Sequence, residues 1–437
     1  MKLGGKNSKK LNSLVALLAL VCMMTSMLTA CQKSGSLASR LSTTRSTFDN
    51  PVSGTGGQAY TGFREPITEN VAVDDKSLSE QERDNQRQEA GIDEATLTSV
   101  IAAQRGKYYY DTMDENYHKL YAEILIIINN HAENVVVSAN DSDVLQYTFL
   151  CVYADHPEIF WIDGYNYTRH TKNGQLSYIT FGGKYIYTID ECKRYEYRIA
   201  NYLSAFSSGI SSRASDYEKV RYTYEYVIKH TDYVLDSKDN QTIISVFIHG
   251  KSVCQGYAKA VQYLLDSLGV QSTVVVGSNA NGIGHAWNLV NIDNAYYYLD
   301  ATWGDDSYNG DGSANASGLA EAINYDYLNI TTTELERTHK IDCVVPMPMC
   351  VATEANYYVK EGLYFTSYDY RALSEAFDNA YSRGDATISF KCSDRAVFDQ
   401  MSDELFDDQE LFALLKGSHP TASYRMSDKN YTYCFWL

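Results

Sequence analysis

The chain has 437 residues, 44% of them apolar and 13% aromatic, enough to bury a sizeable core once non-folding segments are set aside. Its formal charge of −18 at pH 7 repels nucleic acid, so no nucleic acid is expected as a partner. The same charge gives no electrostatic attraction to anionic lipid, so any membrane attachment has to come from another source.

At the front, Lys2, Lys6, Lys9 and Lys10 precede an apolar stretch from Leu14 to Leu28, the layout of a secretory signal peptide. The stretch is too short for a confident spanning helix. It ends at Leu28, Thr29, Ala30 and Cys31, which resembles a bacterial lipobox. That resemblance implies cleavage before Cys31, acylation of its thiol and a folded part facing outside the cytoplasm. Residues 1–30 hold four Lys and no acidic residue, so their removal takes the charge to −22, and Cys31 becomes the lipid anchor.

From Gln32 to about Arg105 the chain is rich in Ser, Thr, Gly, Gln, Asp and Glu and poor in aromatics, which predicts a disordered tether. Order is expected near Lys107, where Leu120, Ile124, Ile127 and Ile128 recur at helical spacing. A second helix is predicted over Asp143–Ala154, and an Asn173-Gly174 turn between two aromatic or β-branched runs predicts a hairpin. A helix over Asp190–Phe206 closes this unit before a Ser-rich boundary. The next helix starts near Ser215 and buries Tyr217, Val220, Tyr224 and Val227.

The stretch SVFIHGKSVCQGYAKAVQYLLDSLGV leads a Gly-containing loop into Cys254 and then a helix whose buried face is Ala258, Val261, Leu265 and Leu268, with Gly269 as terminator. Cys254 therefore sits at a helix N-terminus, where unpaired amides and the dipole favour a thiolate and can donate to an oxyanion. Beyond the strand TVVVGS, the runs GHAWNLVNI and AYYYLDATW flank Asp293-Asn294 and predict an antiparallel hairpin. Pairing Ile292 with Ala295 sets His285 opposite Thr302 and Trp287 opposite Asp300. His285 and Asp300 are then diagonal neighbours, about 7 to 8 Å apart at Cα and within side-chain reach. A carboxylate holding an imidazole that takes a thiol proton is the arrangement needed for nucleophilic attack on an acyl carbon.

The blocks Val253-Cys254-Gln255-Gly256-Tyr257-Ala258, Gly284-His285-Ala286-Trp287-Asn288 and Leu299-Asp300-Ala301-Thr302-Trp303 resemble those of the transglutaminase-like superfamily in content, order and spacing. The resemblance covers roughly residues 215–345. It implies an α+β fold with a papain-like core, in which a helix bearing Cys254 packs on an antiparallel sheet bearing His285 and Asp300. It also implies chemistry on amide carbonyls through a thioester, with no cofactor. Gln255, Gly256, Trp287 and Trp303 are the candidates for the oxyanion site and substrate groove. Superfamily members include peptidases, amidases, cross-linking transamidases and inactive forms. The expectation is a hydrolase or peptidase acting on protein or cell-wall peptides, with protein-glutamine transamidation and a non-catalytic envelope scaffold as alternatives.

Domain organisation then reads as signal peptide 1–30, tether 31–105, an N-terminal α+β unit 106–210, the catalytic core 211–345 and a C-terminal α+β unit 346–437. In the last unit Tyr357, Tyr358 and Val359 read as strand, Ala386–Cys392 and Asp394–Leu405 as strand then helix, and Tyr424–Trp436 as a final strand. Seven cysteines remain after Cys22 and Cys31, and spacing leaves open both disulfides among them and isolated buried thiols. Asp305, Ser307, Asn309 and Gly310 echo the start of a calcium loop, but Ala316 stands where its closing Glu belongs. No HExxH or paired CxxC indicates zinc. Neither metal is expected.

Overall fold

The computed structural model describes residues 67–74, 78–305, 322–416 and 422–437. The leader, Cys31 and most of the calcium-like loop lie outside them.

Structure begins well before Lys107. A strand β1 (Ile67–Asp74) and helices α1 (Glu80–Glu89) and α2 (Glu94–Ala103) occupy the predicted tether. Ser79 caps α1 in a reciprocal box with Glu82, and Asp93 caps α2. Helix α1 buries no residue of its own; Arg87 holds it by pairing with the buried Glu123 at 2.6 Å and donating to the Val136 carbonyl at 2.9 Å. Polar contacts to distant residues thus order a segment whose composition reads as a spacer. Ala90, Ile92 and Leu97 complete the attachment by burial.

The next elements are α3 (His118–Asn129), β2 (Val135–Val137), α4 (Ser142–Asp155), β3 (Ile162–Lys172), β4 (Gln175–Tyr185) and α5 (Ile189–Ser208). The sheet order is β1-β3-β4-β2, with β1 parallel to β3 and the β3–β4 hairpin closed at Asn173-Gly174, both at positive φ. Helix α6 (Asp216–Lys229) is capped by Ser215 and buries Tyr217, Val220, Tyr224 and Val227, as its spacing predicts.

The layer that carries Cys254, His285 and Asp300 comprises α7 (Cys254–Ser267), β5 (Ser272–Asn279), β6 (Gly284–Ile292), β7 (Ala295–Leu299), the single-turn helix α8 (Ala301–Gly304) and β8 (His339–Ile341), with sheet order β8-β5-β6-β7. Its apolar contacts are continuous with those of the preceding elements: one core cluster runs from Ala90 to Tyr358. Tyr109 donates its hydroxyl to the Val274 carbonyl at 3.0 Å across the predicted 210/211 boundary. Residues 106–210 and 211–345 therefore share one core and are not two separately packed units. This mixed architecture is the expected α+β class.

The C-terminal elements are β9 (Tyr364–Phe365), α9 (Tyr370–Arg383), β10 (Thr387–Cys392), α10 (Arg395–Ser402), β11 (Tyr424–Ser427) and β12 (Thr432–Trp436), with a core of their own. Tyr357–Val359 is helical rather than extended, because Asn356 caps the turn by accepting from the Tyr358 amide. The single strand expected over Tyr424–Trp436 is two strands of a hairpin. All seven cysteines among the described residues are free thiols, six of them buried.

Candidate active site

Cys254 is the first residue of α7, and Val253 before it offers no side chain to cap the helix. The first amides of a helix have no intrahelical acceptor, so donors and dipole converge on the sulfur. Gly256, two residues on, lies so close to the preceding loop that a Cβ there would sit 2.0 Å from Ser252 Oγ and 2.7 Å from Ser245 Oγ. The missing side chain lets that loop close under the nucleophile.

Strand β6 carries His285 and pairs with β7 in the expected register, Ile292 with Ala295. Asp293 and Asn294 both adopt positive φ, which fixes the two-residue turn. The pairing ends at Asn288–Leu299, however, so Asp300 and Thr302 are not strand residues facing Trp287 and His285. Asp300 instead caps α8: its Oδ1 accepts the Thr302 amide at 2.9 Å and the Trp303 amide at 3.2 Å. This turns Oδ2 toward His285 Nε2, 2.7 Å away. A helix cap does the orienting that a diagonal strand pair was expected to do.

With Nε2 given to the carboxylate, Nδ1 is the ring nitrogen left to serve the Cys254 thiol, a neighbour that also favours the charged ring. Burial alone would lower the His285 pKa, but the charge and hydrogen bond of Asp300 outweigh it and raise the value to about 10. Burial likewise opposes ionisation of Asp300, yet the His285 charge and hydrogen bond hold its carboxyl well below the usual range. The pair is thus an imidazolium–carboxylate at neutral pH. Cys254 itself is fully buried, among Ala258, Val274 and Ala286, so a substrate acyl group reaches it only if a neighbour moves.

Of the remaining candidates, Gln255 is buried on the first turn of α7 with Oε1 unpaired. Trp287 belongs to an apolar cluster with Val275 and Leu289, although its ring also lies against His285. The indole N–H of each Trp has no acceptor, but Trp303 is half-buried where Trp287 is buried, with its ring 5.9 Å from that of His285. Trp303 is therefore the better placed of the two to meet a bound group. Asp305, the first residue of the calcium-like loop, is turned inward to accept from Tyr257 at 2.7 Å.

The sequence reading misses one residue of this site. His339, on β8, directs Nε2 at the same Asp300 Oδ2 from 3.1 Å. Gly277 brings it there: a Cβ at that position would collide with the Lys340 carbonyl at 2.0 Å and the Trp287 ring at 2.8 Å. No motif surrounds His339; the signal that remained was a glycine inside an otherwise β-branched strand, a mark of close backbone approach. The two imidazoles and the carboxylate bring three polar atoms within 4.8 Å of one another. Both ring nitrogens already bond the same oxygen at hydrogen-bond length, so the cluster is a hydrogen-bond network.

A buried cysteine at a helix tip, an imidazole and a carboxylate cap make up the geometry of a papain-like core. Comparison agrees with that geometry: residues 204–301 match the family model described as the transglutaminase-like superfamily. The kyphoscoliosis peptidase of Mus musculus is 28% identical over 21% of this chain and 16% of its own length. Two solved structures are also similar. The crystal structure of a TGase is 16% identical over 36% of this chain and 55% of the other, with a TM-score of 0.24. The periplasmic domain of TgpA from Pseudomonas aeruginosa bound to ethylmercury is 13% identical over 30% and 56%, with a TM-score of 0.16. The chain thus spans about a sixth of the curated relative and little over half of each solved one.

Proposed function

We propose that this protein is a cysteine-dependent amidohydrolase or peptidase, anchored to a membrane through Cys31 and acting outside the cytoplasm on protein or cell-envelope peptides. The observation that carries the reading is the 2.7 Å contact between His285 and Asp300 beside Cys254. His285 already holds the proton that Cys254 gives up, so the sulfur bonds the carbonyl carbon of an amide as a thiolate, and the resulting oxyanion is met by the first amides of α7. Collapse breaks the C–N bond, and the imidazolium gives its proton to the leaving amine. Water, deprotonated by the now neutral His285, then attacks the thioester and frees the acid and the thiolate, with the imidazolium restored. The mouse relative's name as a peptidase favours hydrolysis over transfer to an amine. The basic run, apolar stretch and Cys31 support export and anchoring.

The complete burial of Cys254 favours a second reading, an inert module whose fold keeps the site closed. One experiment separates them: incubation with glutamine- and amide-containing peptides, with and without a labelled primary amine, read by mass spectrometry. Hydrolysis products lost on Cys254→Ala support the proposal; amine incorporation redirects it to transamidation; no product in either arm favours the inert module.

A further inference from the structure

His339 has no part in the three-residue relay, yet its side chain is fully buried and makes two directed hydrogen bonds. Nδ1 lies 2.8 Å from the Thr338 hydroxyl and Nε2 lies 3.1 Å from Asp300 Oδ2. A carboxylate oxygen only accepts, so Nε2 carries the proton of that contact; the Thr338 hydroxyl meets Nδ1 and also lies 3.4 Å from the Leu335 carbonyl. Asp300 then holds four donors, two amides on Oδ1 and two imidazoles on Oδ2. His285 alone would leave Oδ2 with one partner, and that partner changes charge during each proton transfer.

We propose that His339 is a positioning residue: its Nε2–H fixes the rotation of the Asp300 carboxylate, so that His285 keeps its orientation through both proton transfers. The inference rests on the proposed cysteine chemistry. Its second support is the setting of the ring, which is packed by Trp287, Trp303 and Tyr327 with centroids 4.9, 4.6 and 5.6 Å away. Those rings deny His339 any freedom to leave Oδ2. The other ionisable groups around the cluster are Cys254 from α7, Tyr224 from α6 and Tyr327. Burial raises the pKa of both tyrosines, so neither supplies a competing charge at neutral pH.

Two substitutions separate hydrogen bonding from packing. His339→Phe keeps a ring against the tryptophans and removes the N–H; His339→Gln loses the ring and keeps an N–H near the Nε2 position. The readouts are turnover of p-nitrophenyl acetate and the alkylation rate of Cys254 by iodoacetamide, with thermal unfolding to confirm folding. The positioning role predicts that His339→Phe slows both by about tenfold or more, while His339→Gln stays within about threefold of the parent. If Phe retains more activity than Gln, or the two fall equally, the role is packing and the inference is overturned. If the parent's own turnover survives Cys254→Ala, it is the cysteine chemistry that fails.

Discussion

Asn288 Nδ2 donates to the Ala258 carbonyl at 2.8 Å, tying the strand that carries His285 to the helix that carries Cys254. Both residues are buried. No covalent link holds the nucleophile to its base, so this bond sets their relative position together with apolar packing of Ala258, Val274 and Ala286. Asn288→Ala is expected to cost about 1–3 kcal/mol in denaturant unfolding, the usual range for a buried hydrogen bond removed on one side. It is also expected to lower kcat more than it raises KM, measured on any substrate that the Cys254→Ala variant leaves uncut.

The raised pKa of His285 and the lowered pKa of Asp300 make stability depend on pH. A histidine that titrates at about 10 when folded and near 6.5 when unfolded stabilises fully below about 6.5, and that contribution fades as pH climbs toward 10. The Asp300 contribution is present above about pH 4 and lost on acidification. The Tm gap between the parent and Asp300→Asn should therefore be widest near about pH 5–6 and narrow steadily toward about pH 10. Calorimetry across that range checks it; a gap constant from about pH 5 to 10 would mean the pair does not form.

Gly256 sets two effects against each other. Replacing a helical glycine by alanine ordinarily gains up to about 1 kcal/mol. Here the new Cβ would sit 2.0 Å from Ser252 Oγ, and overpacking of that kind costs about 1–3 kcal/mol. The clash should win: Gly256→Ala lowers the unfolding midpoint, and adding Ser252→Gly recovers part of the loss.

The C-terminal unit is tied to the rest of the fold at Asp326, in the helical turn Tyr325–Tyr327. Its buried carboxylate accepts from Tyr358 at 2.7 Å, Thr432 at 2.8 Å and Asn430 at 3.1 Å, and Lys391 pairs with Glu334 nearby. Asp326→Ala leaves the buried Tyr358 and Thr432 hydroxyls without an acceptor and leaves Asn430 with Tyr327 alone, a loss of about 2 kcal/mol or more. Limited proteolysis should then cut between the two cores, near residues 360–370, at a protease dose the parent survives.

Much of the site was legible because its parts are local. The capping of α6, the helix after Cys254 and the Asp293-Asn294 turn follow from side chains within a few residues of one another. The turn alone fixed the register of β6 on β7. What was not legible depended on distance along the chain. His339 lies 39 positions beyond Asp300 and reaches it only through the edge pairing of β8 with β5. Helix α1 is ordered by Glu123 and Val136, some 36 and 49 residues away, so its own composition could not distinguish it from a tether. Asp300 belongs to a run that reads as strand through Leu299, and only its two bonds to the following amides show the chain has turned.

The most direct test of the triad is a comparison among the seven thiols of the described residues. Timed iodoacetamide exposure, digestion and mass spectrometry would rank the alkylation rates of Cys254 against Cys151, Cys192, Cys343, Cys350, Cys392 and Cys434, in the parent and in His285→Ala. The account predicts that Cys254 reacts first by at least about tenfold and that His285→Ala removes the advantage. Equal rates for all seven thiols in the parent, or a Cys254 rate untouched by loss of His285, would contradict it.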